Sequence, residues 1–333
     1  MVKSITIVKS TDEKLKNENV DIIFKEIQKD TVGRSGARPV WGMLYYNEGG
    51  KLTKSGIALF KEYDYDMPIA SYSEEIWSII GNKVLLETRV PKIDLVDEGN
   101  KEIGVISHRV LNNEQEDLIH IRDVLFNKFE RDDFKIRQNV FYIEDLLECI
   151  KIQINDSINY EKVKTQVIHT LLLDAITNNG DRHGNNWGLV RDKETNTYHL
   201  ADFDHSSSFV DLVNKKPGHT CRGWVSSYIR TTPEVKKMMM GNCGDQIIDY
   251  ISKNYKEDFN NFSQLFNQNL DDIIEEIKNE NMNIDEKRLE KKLRERNKLL
   301  QKIRSREEME NERWSRKRIC FLSWMGRCWK RII

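Results

Sequence analysis

Asp181 and Asn186 stand five positions apart in the segment NNGDRHGNNWGLV (178–190), and Asp202 and Asp204 follow in LADFDHSSSF (200–209). Carboxylates and amide oxygens are hard ligands that suit Mg²⁺. Phosphoryl transfer from ATP asks a protein for little covalent work. It asks for a carboxylate beside the attacking hydroxyl, ligands for magnesium, and cations on the phosphates. The Asp-x-x-x-x-Asn spacing meets the first two needs: Asp181 orients or deprotonates the acceptor hydroxyl, and the Asn186 side-chain oxygen ligates the metal. Asp202 and Asp204, at i and i+2, fall on one face if the strand continues through them, so either completes the metal site. Asn, Asp and Gly also build ordinary helix-terminating turns. The context favours chemistry: an apolar helix precedes the loop, an apolar strand follows it, and the second acidic pair lies a hairpin further on.

The phosphates of ATP need a cation on a separate element. Lys61 ends the apolar run SGIALFK, which places its ammonium at a cleft, and Glu74 or Glu75 on the next helix is positioned to pair with it. The two acids also suit the first turn of a helix, where they favour its dipole. The loop VGRSGARPV (32–40) offers Gly36 for close backbone approach and Arg38 for phosphate charge, and Ser35 beside them is a candidate autophosphorylation site.

The elements that must position these groups are readable from periodicity. Short strands are expected at 5–8 and 20–24, a strand–turn–strand at 41–46 and 55–63, a helix at 73–86, and strands at 91–96 and 102–110. Beyond them, helices are expected at 143–150 and 161–177. The chemical loop 178–186 follows, then a short hairpin of 187–190 with 197–203, and helical segments through most of 232–310. The expected plan is α+β and bilobal: residues 1–115 a β-rich nucleotide-binding lobe, 116–283 a helical catalytic lobe, and 284–333 a charged helix with a basic aromatic tail. The stripe Leu289, Leu293, Leu300 and Ile303 marks that helix as exposed or packed on a partner.

Three segments together resemble the HipA-like serine/threonine kinases, a bacterial branch of the kinase fold that includes secreted effector kinases. Ser35-Gly36-Ala37-Arg38-Pro39 is similar to that family's Gly-Ala-Arg-Pro loop, with Val40 and Trp41 departing from the family pattern just after it. The run from Asp174 to Asn186 looks like its catalytic loop. Asp204 before Ser206-Ser207-Ser208 stands where the family has its metal-binding Asp. The Gly-Asp-Arg-His-x-x-Asn string is also similar to phosphatidylinositol kinases. The resemblance implies a protein-kinase-like fold, ATP and Mg²⁺ as cofactors, and a protein as the substrate. A lipid acceptor and a non-catalytic, pseudokinase-type binding module are the alternatives.

Composition narrows the partners. In 333 residues, 53 Lys and Arg face 54 Asp and Glu, a net charge of −1 that argues against nucleic acid. A hydrophobic fraction of 38%, with long aliphatic runs, is enough for a packed core. Five widely spaced cysteines without a C-x-x-C pair suit neither a disulfide framework nor a structural zinc, and no apolar leader opens the sequence. The expected compartment is therefore reducing and cytoplasmic, with delivery as an effector left open. The tail 313–333, seven basic residues interleaved with Trp314, Phe321, Trp324 and Trp329, suits either peripheral membrane contact or docking on the helical lobe.

Overall fold

The computed structural model describes residues 3–8, 21–29, 38–48, 51–62, 68–97, 102–126, 141–209, 229–230, 244–280 and 282–306. The expectations for Ser35, Gly36 and the 313–333 tail lie outside the described residues, and of Arg38 only the backbone is described.

The first lobe is a closed barrel. Its strands are β1 (Lys3–Val8), β2 (Ile22–Lys29), β3 (Arg38–Glu48), β4 (Lys51–Glu62), β5 (Ile93–Asp97) and β6 (Glu102–His108), in the order β1-β2-β3-β4-β6-β5. β1 runs parallel to both β2 and β5; all other pairs are antiparallel. Phe24, Leu44, Ala58, Phe60, Val96 and Ile106 fill the barrel. Because side chains alternate along a strand, Lys61 follows Phe60 on the opposite, outward face. Gly104 permits this arrangement. It faces Glu62 across the β4–β6 ladder, and a Cβ there would lie 2.0 Å from the Lys61 carbonyl oxygen.

The helix α1 (Pro68–Val84) covers that outward face, five residues longer at its start than the apolar stripe alone predicts. Ile76, Trp77, Ile80 and Val84 are fully buried along it, packed with Leu95 and Val105 of the barrel's outer surface. Burying such side chains contributes roughly 1.5–3 kcal/mol each, so α1 is held to the barrel by packing rather than by helix propensity.

The second lobe begins with β7 (Glu116–His120) and the short α2 (Ile121–Phe126), followed after the two-residue strand β8 (Phe141–Tyr142) by α3 (Ile143–Ile154) and α4 (Ser157–Thr177). Next come β9 (Trp187–Asp192), β10 (Tyr198–Asp202), a second two-residue strand β11 (Ile229–Arg230), α5 (Gly244–Asn254), α6 (Lys256–Asn279) and α7 (286–306). A small sheet, β10-β9-β7, lies under the cleft. Asp156 caps α4 by accepting the Asn159 N–H at 2.7 Å. From Gln166 to Thr177 every residue of α4 is buried, which marks it as the lobe's central helix. Phe259, Phe262, Phe266, Leu270 and Ile273 form the apolar stripe of α6. The stripe Leu289, Leu293 and Leu300 on α7, expected to be exposed or packed on a partner, instead docks into the chain's own core because it meets the apolar face of α6, and Gln301 bonds Ser263 there. Among the described residues, no helix is long and apolar enough to cross a membrane.

The lobes are joined at several places, among them α1 against α6, where Lys83 pairs with Glu276 at 2.8 Å. Residues 109–115 carry the chain from β6 to β7, and the turn after α1 reaches β10: Arg89 donates its N–H to Leu200 at 2.7 Å and accepts from Asp202 at 3.0 Å. Glu116 ties the two together, taking the Arg89 guanidinium at 3.2 Å and the Asn112 N–H at 2.6 Å.

Candidate active site

The cleft gathers side chains from β4, α1, the loop after α4 and the segment after β10. Lys61 Nζ lies 2.6 Å from Glu74 Oε1 and 3.4 Å from Asp204 Oδ1. Both Lys61 and Glu74 are buried, so the pair stands in a poorly screened setting where geometry matters. Desolvation opposes the lysine's charge, yet Asp204 and Glu74 together hold its pKa above the ordinary value. Glu75, the other acid of this turn, faces away towards Asp94 and Lys3, and burial together with Asp94 pushes its carboxyl up to about 8.

The loop after α4 is built by Asp174 and Arg182. α4 ends on Asn178 in the left-handed conformation, φ 57°, which Asn tolerates better than most residues. Arg182, fully buried, gives Asp174 a bidentate pair at 2.7 and 2.8 Å and donates to the Asn186 carbonyl at 2.9 Å. Asn179 adds a third bond to Asp174 at 2.9 Å. Gly184 lets the loop touch α2: a Cβ there would meet the Arg122 backbone nitrogen at 2.8 Å, and that nitrogen bonds the Gly184 carbonyl at 2.9 Å.

This scaffold presents Asp181 and Asn186. Asn186 donates its amide N–H to the Asp181 carbonyl at 2.7 Å, which fixes the orientation of the amide and leaves its oxygen as the group available to a cation. The Asp181 carboxylate is 45% exposed, with His183 Nε2 at 3.9 Å. Burial and the charge of Asp204 push its carboxyl up, against the opposite pull of His183 and Arg182.

Asp202 and Asp204 part company. Asp202 is fully buried beneath the cleft, where it accepts from Thr170 at 2.5 Å and faces Arg182 at 3.4 Å. Burial there pushes its carboxyl up to about 6. Asp204 turns out of the strand with φ 62°, and its carboxylate is 42% exposed beside Lys61. Desolvation raises its pKa, but Lys61 and the Ser206 hydroxyl outweigh that and hold the group below the usual carboxylate range. The expectation that both acids share one face holds only while the strand continues. The left-handed residue at Asp204 breaks the alternation and sends one carboxylate inward, one to the cleft.

Three residues that sequence reasoning left without a role complete the site: Trp77, Arg182 and His205. The His205 ring stacks on Trp77 at 3.4 Å between centroids, and its Nδ1 lies 3.2 Å from Arg182. Arg182 also sits 5.6 Å from the rings of both Trp77 and Trp187. Ser73 on α1 donates to the Ser208 carbonyl at 2.5 Å, so α1 is tied to the chain just beyond Asp204. Tertiary stacking of this kind has no local signature; only the loop position of Arg182 and the adjacency of His205 to Asp204 hinted at a role. On the barrel side, the backbone of Arg38 pairs with Glu62 and that of Pro39 with Lys61.

The arrangement can hold Mg²⁺ through Asp204 and the Asn186 oxygen. The described residues hold no cluster of three His, Cys, Asp or Glu side chains fit for a metal. Magnesium on a nucleotide takes one or two protein oxygens and fills its octahedron with phosphate and water.

The barrel lobe, the helical lobe and the cleft between them define a bilobal α+β fold of the kinase type. The chain is similar to the crystal structure of the Helicobacter pylori proinflammatory kinase CtkA, with a TM-score of 0.54 at 15% identity over 85% of this chain and 95% of that one. It is also similar to HipA in the Shewanella oneidensis MR-1 complex of HipA, HipB and operator DNA, with a TM-score of 0.54 at 13% identity over 83% of this chain and 67% of that one. At these identities the likeness establishes the fold alone. No protein-family model matches the sequence, and no curated protein does.

Proposed function

We propose that this chain is an ATP- and Mg²⁺-dependent phosphotransferase that phosphorylates serine or threonine hydroxyls of protein substrates. The observation that carries the reading is the meeting of Lys61, Asp204, Asn186 and Asp181 in one cleft, although they come from three separate stretches of sequence. Lys61, held by Glu74, neutralises phosphate oxygens. Arg38 and the backbone at Gly36 add donors from the adjoining loop. Asp204 and the Asn186 oxygen hold Mg²⁺, which when bound draws charge from the transferring phosphoryl group. Asp181 accepts the hydrogen bond of the attacking hydroxyl, and the raised affinity of its carboxyl for a proton suits it to take that proton as the bond to phosphorus forms. One of the two similar structures is that of a kinase, the Helicobacter pylori protein CtkA, which supports the reading.

The test is incubation with γ-labelled ATP and Mg²⁺, with protein acceptors and phosphoinositide vesicles in parallel. Label on serine or threonine of the chain itself or of an added protein supports the proposal. Label on lipid alone overturns the acceptor, and no transfer to any acceptor overturns the activity. In the same preparation Asp204→Asn should abolish Mg²⁺-dependent nucleotide binding, whereas Asp202→Asn should retain it. Normal MgATP binding by Asp204→Asn would move the metal elsewhere.

A further inference from the structure

Asp204 depends on its neighbours for its conformation. A φ of 62° is one that a residue with a side chain keeps only where the surrounding structure fixes it. On one side the fix is the Phe203 N–H, bonded to the Asn186 carbonyl at 3.1 Å. On the other it is the ring of His205, 1% exposed and held between two elements. Arg182 Nη2 donates to His205 Nδ1 at 3.2 Å, since a guanidinium carries only donors. The Trp77 indole of α1 covers the same ring at 3.4 Å between centroids, with 9° between the planes. Another tie of α1 to this segment, Ser73 to the Ser208 carbonyl, falls beyond the turn and leaves Asp204 itself to the ring.

Full face-to-face overlap is not what two like rings prefer. Here the rings are unlike. A cationic donor on Nδ1 draws electron density from the imidazole, and an electron-poor ring suits the electron-rich face of the indole. Arg182 does not rely on His205 in return, because Asp174 holds it at two atoms and the Asn186 carbonyl at a third. The imidazole is thus placed by Arg182 and clamped by Trp77. Trp77 follows Glu74 at the i, i+3 spacing that puts two side chains on one side of a helix, so the clamp joins Asp204 to the acid that holds Lys61.

Resting on the phosphotransferase reading, we propose that His205 is a positioning residue: its stack on Trp77 fixes the left-handed turn that aims the Asp204 carboxylate at Lys61 and the metal. Mg²⁺-dependent nucleotide binding then needs the ring of His205 rather than its nitrogen.

The measurement is the affinity of a fluorescent ATP analogue for the full chain in Mg²⁺ and in EDTA, whose ratio is the metal's share of binding. His205→Asn keeps an acceptor for Arg182 and removes the ring. Trp77→Leu removes the ring's partner and leaves the Asp204 segment unaltered. Each should lower the ratio about tenfold, the reach of one close aromatic pair, while the affinity in EDTA stays within about twofold of wild type. His205→Phe keeps a ring for Trp77 and should hold the ratio within about twofold. Ile80→Val, a buried change on the same helix away from the stack, should lower the Tm and leave the ratio as it was. A wild-type ratio in folded His205→Asn or Trp77→Leu would overturn the proposal. So would a loss in His205→Phe or Ile80→Val as large as that in His205→Asn, since the stack would then be a packing contact like any other. A wild type that binds equally in Mg²⁺ and EDTA would instead overturn the phosphotransferase reading, and this inference with it.

Discussion

Gly104→Ala tests whether the cleft depends on the barrel's backbone packing as closely as the geometry says. The new Cβ would stand 2.0 Å from the Lys61 carbonyl oxygen, 3.0 Å from its carbon and 3.1 Å from the Glu62 Cα. All three are backbone atoms, so no side-chain rotation relieves the clash. Reaching an ordinary contact of about 3.4 Å requires the two strands to part by roughly 1.4 Å at this register. Overpacking of this kind costs roughly 1–3 kcal/mol, and a ladder hydrogen bond lost at Lys61 or Val105 adds about 1 kcal/mol. A loss of about 2–4 kcal/mol corresponds to a fall in Tm of roughly 5–15 °C for a unit of this size. The displacement is also comparable with the slack in the site, where Lys61 reaches Glu74 at 2.6 Å and Asp204 at 3.4 Å. A misplacement of about 1 Å costs on the order of a hundredfold in turnover, so phosphoryl transfer should fall by that factor and MgATP affinity should weaken. Thermal unfolding, MgATP titration calorimetry and labelled-ATP transfer measure the three effects. A Gly104→Ala protein with wild-type Tm and wild-type MgATP affinity would refute the claim that this glycine sets the position of Lys61.

Three further outcomes are expected. Asp181→Ala should keep MgATP affinity within about threefold while turnover drops by a hundredfold or more; unchanged turnover would remove Asp181 from the mechanism. Arg182→Met strands Asp174 and Asp202 without their buried cation and should cost about 3–5 kcal/mol in chemical denaturation, part of it recovered by adding Asp174→Asn; a loss below about 1 kcal/mol would mean the buried network is not what holds the loop. The Asp202 carboxyl, raised to about 6 from 3.8, binds a proton in the folded state that the unfolded chain releases. Its contribution to stability therefore falls as pH rises from about 4 to about 6, by up to roughly 3 kcal/mol. The stability of Asp202→Asn relative to wild type should rise across that interval, and a flat difference would contradict the burial of an ionising Asp202.

Much of this site could be read from residue order because its most telling feature is local. Asp181 and Asn186 lie in one loop between an apolar helix and an apolar strand, and both flanking elements appear where periodicity expects them. Lys61 was only half readable, since a lysine closing an apolar strand is as often a surface residue, and its burial against Glu74 depends on the helix that the fold lays over it. What the sequence hid depends on contacts between distant segments. β1 lies parallel to β5 about ninety residues later, at the register Lys3 to Val96, and no turn signal marks a pairing that no turn makes. The choice between Asp202 and Asp204 was hidden too, because it rests on a single left-handed residue that interrupts the strand's alternation. Nothing local marks Trp77; that its ring carries His205 depends on a fold that brings them together across more than a hundred residues.

The double hydrogen bond between Arg89 and β10 splices the turn after α1 onto the sheet of the second lobe. With Ser73 bonded to the Ser208 carbonyl, Trp77 stacked on His205 and Lys83 paired with Glu276, α1 is fastened to the helical lobe from Ser73 to Lys83. The helix that carries Glu74 therefore belongs to the helical lobe as much as to the barrel it covers. Of the charged trio in the cleft, Lys61 alone is borne by a barrel strand, and its two acidic partners are held in place from the other side.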